Sequence, residues 1–147
     1  MSGIVRRVLV TGASGFIGRR LCRELAGRGC EVLALLRTPQ AGPWGSVVPA
    51  ELGRDPIAPE SLQGVDTIFH LAGKAHTRAR TDAEVREYET VHVHGTRALM
   101  TVARQAGVRR CVLLSSVKAM GEGGADVWDE GAPCDPRTPY GATKLAA

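Results

Sequence analysis

Two groups of residues have types and spacing that could do chemistry. The first, Thr11-Gly12-Ala13-Ser14-Gly15-Phe16-Ile17-Gly18, sets glycines at three-residue intervals. It stands where the apolar run Val8-Leu9-Val10 gives way to Ile17, Leu21 and Leu25 at four-residue spacing, so strand, turn and helix follow in that order. A turn in that place can cradle a phosphate. Gly12 lets the chain reverse, Gly15 lets backbone N–H groups close on a pyrophosphate, Gly18 lets helix lie close on strand, and the helix N-terminus offers a partial positive charge. The second group is Tyr140 and Lys144, at i and i+4 near the start of a helix opened by Thr138-Pro139. Their side chains lie on one face about one turn apart, a spacing that suits a shared task.

Elements must hold these groups in place. After the first helix, Gly27 and Gly29 mark a stop, and Val32-Leu33-Ala34-Leu35-Leu36 is a continuous apolar run of the kind buried on both faces of a parallel sheet. A weaker strand is expected over Ser46–Leu52, a short helical turn after Pro59, and a clear buried strand over Thr67–Ala72. From Asp82 to Gln105 the residues Val91, Gly95, Leu99, Val102 and Ala106 trace one apolar stripe, ended by Gly107, which predicts a single long helix. Cys111–Leu114 is expected as the last apolar strand, of the buried kind in a complete sheet but an exposed edge in this one, residues 118–137 as a loop rich in Gly, Asp and Pro, and the final helix from about Tyr140. Strands alternating with helices predict an α/β fold, a doubly wound parallel sheet in three layers, Rossmann-like with strand order 3-2-1-4-5.

Composition narrows the class. The 147 residues are 44% apolar, 23% charged and 4% aromatic, which suits one globular domain and excludes disorder and collagen. Eighteen glycines in that length is about 12%, against roughly 7% in average usage. The apolar runs are a handful of residues long, well short of the ~20 needed to span a bilayer, and residues 1–10 read as the approach to a strand instead of a leader peptide. Neither a membrane nor a secretory route is expected, and a cytoplasmic protein is the default. Cys22, Cys30, Cys111 and Cys134 show no CxxC pairing and read as reduced packing residues. The net charge of +4 comes from sixteen Arg and three Lys, with seven Arg in residues 1–40. No arginine run exceeds two and aromatics are scarce, so no nucleic-acid partner is expected. His76 and His94 have neither a carboxylate partner nor metal-ligand spacing, so both read as structural and no metal site is expected.

The end of the second strand bears on cofactor choice. Folds of this kind that bind NAD usually carry an acidic residue there for the ribose hydroxyls. Here Leu36 is followed by Arg37, which can pair with a 2′-phosphate and removes a repulsive carboxylate. NADP is therefore favoured over NAD, with both left open.

The GxxGxxG spacing, HLAG at His70–Gly73, VHVHGT at Val91–Thr96, SSVKAMGE at Ser115–Glu122 and YGATK at Tyr140–Lys144 together resemble the extended short-chain dehydrogenase/reductase family of nucleotide-sugar epimerases, dehydratases and 4-ketoreductases. The resemblance covers nearly the whole chain and keeps the order of the motifs. It implies that Tyr140 is the general acid or base at a substrate hydroxyl or carbonyl. It implies further that Lys144 lowers the tyrosine's pKa and holds the nicotinamide ribose, and that Ser116, with Ser115 as runner-up, hydrogen-bonds the substrate oxygen. Gly12, Ser14, Gly15, Phe16, Ile17, Gly18, Arg37, Asp55, Leu71, Ala72 and Gly73, with Tyr140 and Lys144, would hold the cofactor, Asp55 at the adenine amine. SSVKAMGE and PYGATK most resemble the pattern of enzymes acting at C4 of UDP-linked hexosamines, and a homodimer is an option for the complete protein. Three positions depart from the family pattern: His92 stands where an asparagine is usual, Met120 replaces an asparagine, and Thr143 replaces a serine.

The expected function is NAD(P)-dependent hydride transfer on a nucleotide sugar, with a non-catalytic dinucleotide sensor of the same fold as the alternative. Family members run to roughly twice this length. Residues 1–147 are therefore expected to form a dinucleotide-binding domain cut just past Lys144, lacking the C-terminal strands and the substrate domain and of doubtful activity alone.

Overall fold

A computed structural model describes residues 6–74, 81–123 and 127–147. Five parallel strands, β1 (Arg7–Thr11), β2 (Glu31–Leu36), β3 (Ser46–Pro49), β4 (Val65–His70) and β5 (Arg110–Leu113), form one sheet in the order β3-β2-β1-β4-β5. The expected doubly wound order is therefore the observed one. The register runs Val8 beside Val32 and Thr67, and Val10 beside Ala34 and Phe69.

Side chains alternate across this sheet, and each face is closed by helices. Val8, Val10, Val32, Ala34 and Leu36 pack with Cys22 of α1 (Phe16–Gly27), joined by Leu21 and Leu25. Leu9, Leu33, Leu35 and Ile68 face the other way, onto Leu99 and Ala103 of α3 (Gly95–Gln105) and onto Leu62 of a 3₁₀ turn at Pro59–Leu62. Helix α2 (Asp82–Tyr88) precedes α3, and α4 (Pro139–Ala146) follows a second 3₁₀ turn at Val117–Ala119.

The structure corrects several expectations. The expected single helix over Asp82–Gln105 is interrupted at Glu89–His94 by a π-helical segment, whose wider turn shifts which side chains point inward. Val91 is only half-buried, while Tyr88 and His92 take the interior positions. At this segment the Thr90 hydroxyl donates to the Arg86 carbonyl, a side-chain bond that competes with helical geometry. Ile17, expected on the buried stripe of α1, is exposed, and Gly18 and Cys22 form the contact instead. Strand β3 stops at Pro49, where the chain turns through residues 51–55. Strand β4 stops at His70, because the N–H groups of Leu71 and Ala72 turn onto the carbonyl and side-chain oxygens of Thr11.

Strand β5 is not buried. Among the described residues it pairs with β4 alone, as the edge expected of it, and all four of its residues are exposed. Cys111 and Cys134 are likewise exposed, so they are not packing residues, whereas Cys22 is buried.

Candidate active site

The turn after β1 sits at the carboxyl end of the sheet. Gly12 takes a positive φ of 67°, and a Cβ there would lie 2.8 Å from the Ala72 nitrogen. Its carbonyl accepts the Gly15 N–H at 3.0 Å. A Cβ on Gly18 would overlap that same carbonyl oxygen, so α1 rests directly on the turn. Gly15 is the N-cap of α1 in an extended conformation, with no side-chain cap and no acidic residue in the first turn. The positive end of the helix thus has no anionic or side-chain partner from its own first turn, and Gly12 and Gly18 let the turn, the helix and the segment after β4 pack together beside it. Ser14, Phe16 and Ile17 are exposed around this end, and the Ser14 carbonyl accepts from Arg19 Nε. The Arg19 guanidinium also lies 5.7 Å from the Trp44 ring centroid.

Arg37, at the end of β2, pairs with Glu51 at 3.7 Å and is otherwise well exposed. Asp55 lies four residues beyond and accepts the Glu51 N–H at 2.7 Å, so one of its carboxylate oxygens already fastens the turn. Arg54 bridges Glu51 and Glu87, and Lys74 also reaches Glu87.

The end of β4 carries the site inward. The Thr11 hydroxyl accepts the Ala72 N–H at 3.0 Å and meets His70 Nδ1 at 2.6 Å, while His70 Nε2 meets the Thr96 hydroxyl at 2.9 Å. Burial, reinforced by the nearby Lys144 charge, pushes His70 down to about 4. Gly73 leaves its side-chain space to a second histidine, since a Cβ there would sit 3.3 Å from His92 Nε2.

His92 is 2% exposed. Its Nε2 receives the Lys74 N–H at 3.0 Å, its Nδ1 lies 2.9 Å from the Thr143 hydroxyl, and its ring stacks on Tyr88 with centroids 5.5 Å apart. Burial and the Lys144 charge push it down to about 4 as well.

Helix α4 is fastened at its start and along its length. The Thr138 hydroxyl accepts the Gly141 N–H at 3.2 Å and donates to Glu122 Oε1 at 2.6 Å, while the Arg137 N–H donates to Glu122 Oε2. These bonds hold the Glu122 carboxyl below its usual range. Gly141 lies against the Lys118 carbonyl so closely that a Cβ would overlap it, which seats α4 on the 3₁₀ turn. Lys144 is only 7% exposed; its Nζ donates to the Leu114 carbonyl at 2.8 Å, and desolvation lowers its pKa. Tyr140 stands edge-on to His92 and Tyr88, with centroids at 5.5 and 5.8 Å.

Ser116 does not end β5, which stops at Leu113. Its hydroxyl accepts the Lys118 N–H at 3.2 Å and caps the 3₁₀ turn. Lys144 and Ser116 are brought to the same strand end, because the carbonyl that Lys144 grips lies two residues before Ser116. Ser115 is exposed. His76 lies outside the described residues, and among the described residues no cluster of metal-ligating side chains occurs. Tyr88, Thr96 and Glu122 join the site without having been anticipated. The four-residue spacing of Tyr88 and His92 was the available signal, obscured by an apolar stripe read one position away.

A parallel sheet in this order, with a glycine turn opening onto an uncapped helix N-terminus, defines the doubly wound nucleotide-binding class. Residues 8–147 match the NAD dependent epimerase/dehydratase family, and the chain belongs to it. It is 38% identical to the sterol demethylase protein B of Methylococcus capsulatus over 95% of this chain and 44% of that protein. It is 31% identical to a UDP-glucose 4-epimerase of Streptomyces lividans, over 99% of this chain and 46% of that one. The solved structure of MoeE5 in complex with UDP-glucose and NAD superposes with a TM-score of 0.84 at 37% identity, covering 95% of this chain and 46% of that one. The chain therefore spans about half the length of the relatives it matches.

Proposed function

We propose that this chain forms the dinucleotide-binding and proton-transfer half of an NAD(P)-dependent oxidoreductase that acts on a nucleotide sugar by hydride transfer at C4. The observation that carries this reading is one of connection. The uncapped end of α1 abuts the segment after β4, and that segment is tied through His92 to the helix bearing Tyr140 and Lys144. The glycine turn fits a dinucleotide, since Gly12 and Gly18 let the segment after β4 and α1 pack against it while the N-terminus of α1 stays uncapped. A relative solved with UDP-glucose and NAD supports both ligand classes.

In this reading the turn of Gly12, Ser14, Gly15, Phe16, Ile17 and Gly18 presents its amide groups to the pyrophosphate, and Leu71, Ala72 and Gly73 line the ribose. Asp55 turns its remaining carboxylate oxygen to the adenine amine. Arg37, released from Glu51, pairs with a 2′-phosphate, which favours NADP. The bound dinucleotide supplies or accepts the hydride. Tyr140 moves the proton at the substrate oxygen, Ser116 turns its hydroxyl to that oxygen, and the Lys144 ammonium stabilises the tyrosinate. Lys144 is suited to this, because it is desolvated and held at the strand end.

Relatives that act on sterols and on sugars both occur, so the substrate is tested directly. Dinucleotide oxidation by a complete version of the protein is followed with UDP- and dTDP-4-keto-hexoses against 3-keto steroids. Turnover on the sugars alone supports the reading, and turnover on steroids alone replaces it. Tyr140→Phe should lower turnover by about 10²-fold or more and leave dinucleotide affinity within about threefold. Turnover equal to the wild type's would remove Tyr140 from the proton-transfer role, and binding without turnover in the wild type would favour the sensor alternative.

A further inference from the structure

We infer that His92 is a positioning residue that locks the segment after β4 to the catalytic helix through one defined tautomer. The inference rests on the reading of Tyr140 as the proton-transferring group. The donor directions are fixed by elimination. The backbone N–H of Lys74 can only donate, so His92 Nε2 accepts and carries no proton. In the neutral ring the proton then lies on Nδ1, which donates to the Thr143 hydroxyl oxygen. Thr143 has its own proton left and spends it on the Tyr140 carbonyl at 3.0 Å.

Lys74 N–H, imidazole, Thr143 hydroxyl and Tyr140 carbonyl thus form a one-way relay from the cofactor side of the site to the tyrosine's own backbone. The stacked ring of Tyr88 and the edge-on ring of Tyr140 flank the imidazole and hold it in place. An imidazole presents its acceptor and its donor on opposite sides of a rigid ring, which lets a single side chain span loop and helix. An asparagine at this position, the residue usual in the family pattern, is shorter by about the width of that ring and keeps the helix-side donor more readily than the loop-side acceptor.

The test uses the 147-residue chain with ¹⁵N-labelled histidine at pH 7, where long-range ¹⁵N–¹H correlation reads the tautomer of each ring. The expected result is a protonated Nδ1 and bare Nε2 at His92, identified by the signal that His92→Asn removes. A protonated Nε2 overturns the inference. Three variants then separate the two arms. His92→Phe keeps the shape alone, and Lys74 amide exchange should accelerate at least about tenfold, the loss of one buried hydrogen bond. His92→Gln retains an acceptor near Nε2 and should bring that exchange back to within about threefold of the wild type. His92→Asn retains the donor to Thr143 and should restore the Tyr140 ring resonances that His92→Phe displaces. Wild-type exchange at Lys74 in His92→Phe, or no recovery by either amide, would show packing alone and contradict the role. Should a variant fail to fold, the wild-type tautomer still decides. NADPH titration of the wild type is run alongside: no binding with the Nδ1–H tautomer present sinks the dinucleotide reading and leaves the relay intact, whereas binding with the other tautomer does the reverse.

Discussion

Arg37 and Glu51 pose the cofactor question at the scale of single residues. Their ion pair is long and solvent-facing, so its own contribution is at most about 1 kcal/mol, and a dianionic phosphate competes for the guanidinium at little cost. Arg37→Ala should therefore weaken NADPH by about tenfold and leave NADH within about threefold, read by fluorescence titration of both dinucleotides. Equal losses for the two would show that Arg37 acts on the fold of the rim and not on the phosphate. Asp55 differs, because it already holds the Glu51 N–H, and Asp55→Asn should disturb the turn as well as the adenine contact. The roles proposed for both residues rest on charge and position, which a sequence displays directly. The ion-pair partners, Glu51 for Arg37 and Glu87 for Arg54, were not legible, since nothing in a linear chain says which of many acidic residues will fold back onto an arginine.

At the scale of elements, α4 is the telling case. Eight residues make a marginal helix, so its stability comes from its attachments. Glu122 fixes the N-cap residue Thr138, whose hydroxyl fixes Gly141, and Thr143 joins the helix to His92. Glu122→Ala should free the Thr138 hydroxyl and raise amide exchange at Gly141 before the strands of the core are affected. Unchanged exchange at Gly141 would remove Glu122 from this role. The Thr138-Pro139 start of α4 and the strand–turn–helix at Gly12–Gly18 were readable because each depends on local chemistry: a cap hydroxyl, a proline at N1, glycines in register. The π segment at Glu89–His94 was not. It arises where α2 and α3 join against a neighbouring turn, and a Cβ on Gly53 would overlap the Thr90 carbonyl, a contact between residues 37 positions apart. A period-based reading carries a 3.6-residue repeat straight through such an insertion, which is why Val91 was placed on the buried face and His92 was not.

The whole molecule has a polar seam through its centre, and that seam sets how it responds to acid. His70 and His92 are both buried in the folded state and pushed down to about 4, whereas in the unfolded chain each titrates near its ordinary value of 6.5. Above pH 6.5 both states are neutral at these rings, and stability is flat. As pH falls below 6.5 the unfolded chain takes up protons that the folded one refuses, so stability declines until the native rings also titrate near pH 4. For a full 2.5-unit shift the loss is on the order of 3 kcal/mol per ring as an upper limit. Urea midpoints should fall steadily from pH 7 to pH 4.5, and His70→Asn should flatten part of that slope; a midpoint independent of pH over this range would contradict the buried neutral state. The β5 edge shapes behaviour at the same scale. Val112, Leu113 and Leu114 are 36–49% exposed along a strand with one free side, a surface open to strand pairing. Val112→Lys should reduce self-association in light scattering, and no helix among the described residues is long and apolar enough to cross a membrane. The strand order and both faces of the core were visible in the alternation of Val8, Leu9 and Val10. The exposed edge at β5 followed from its place last in the strand order and not from its composition, because the same apolar run suits a buried strand and an unpaired edge.

The central claim is that a dinucleotide's pyrophosphate docks on the uncapped end of α1. It is tested most directly by titrating NADPH and NADH onto the wild type and Gly15→Asp. Aspartate is a good N-cap, so the variant should fold with a melting temperature close to the wild type's, while its carboxylate occupies the anion's place and repels it. The account predicts saturable binding to the wild type and a loss of at least about 30-fold in the variant, roughly 2 kcal/mol. Equal affinity in the two proteins would contradict it.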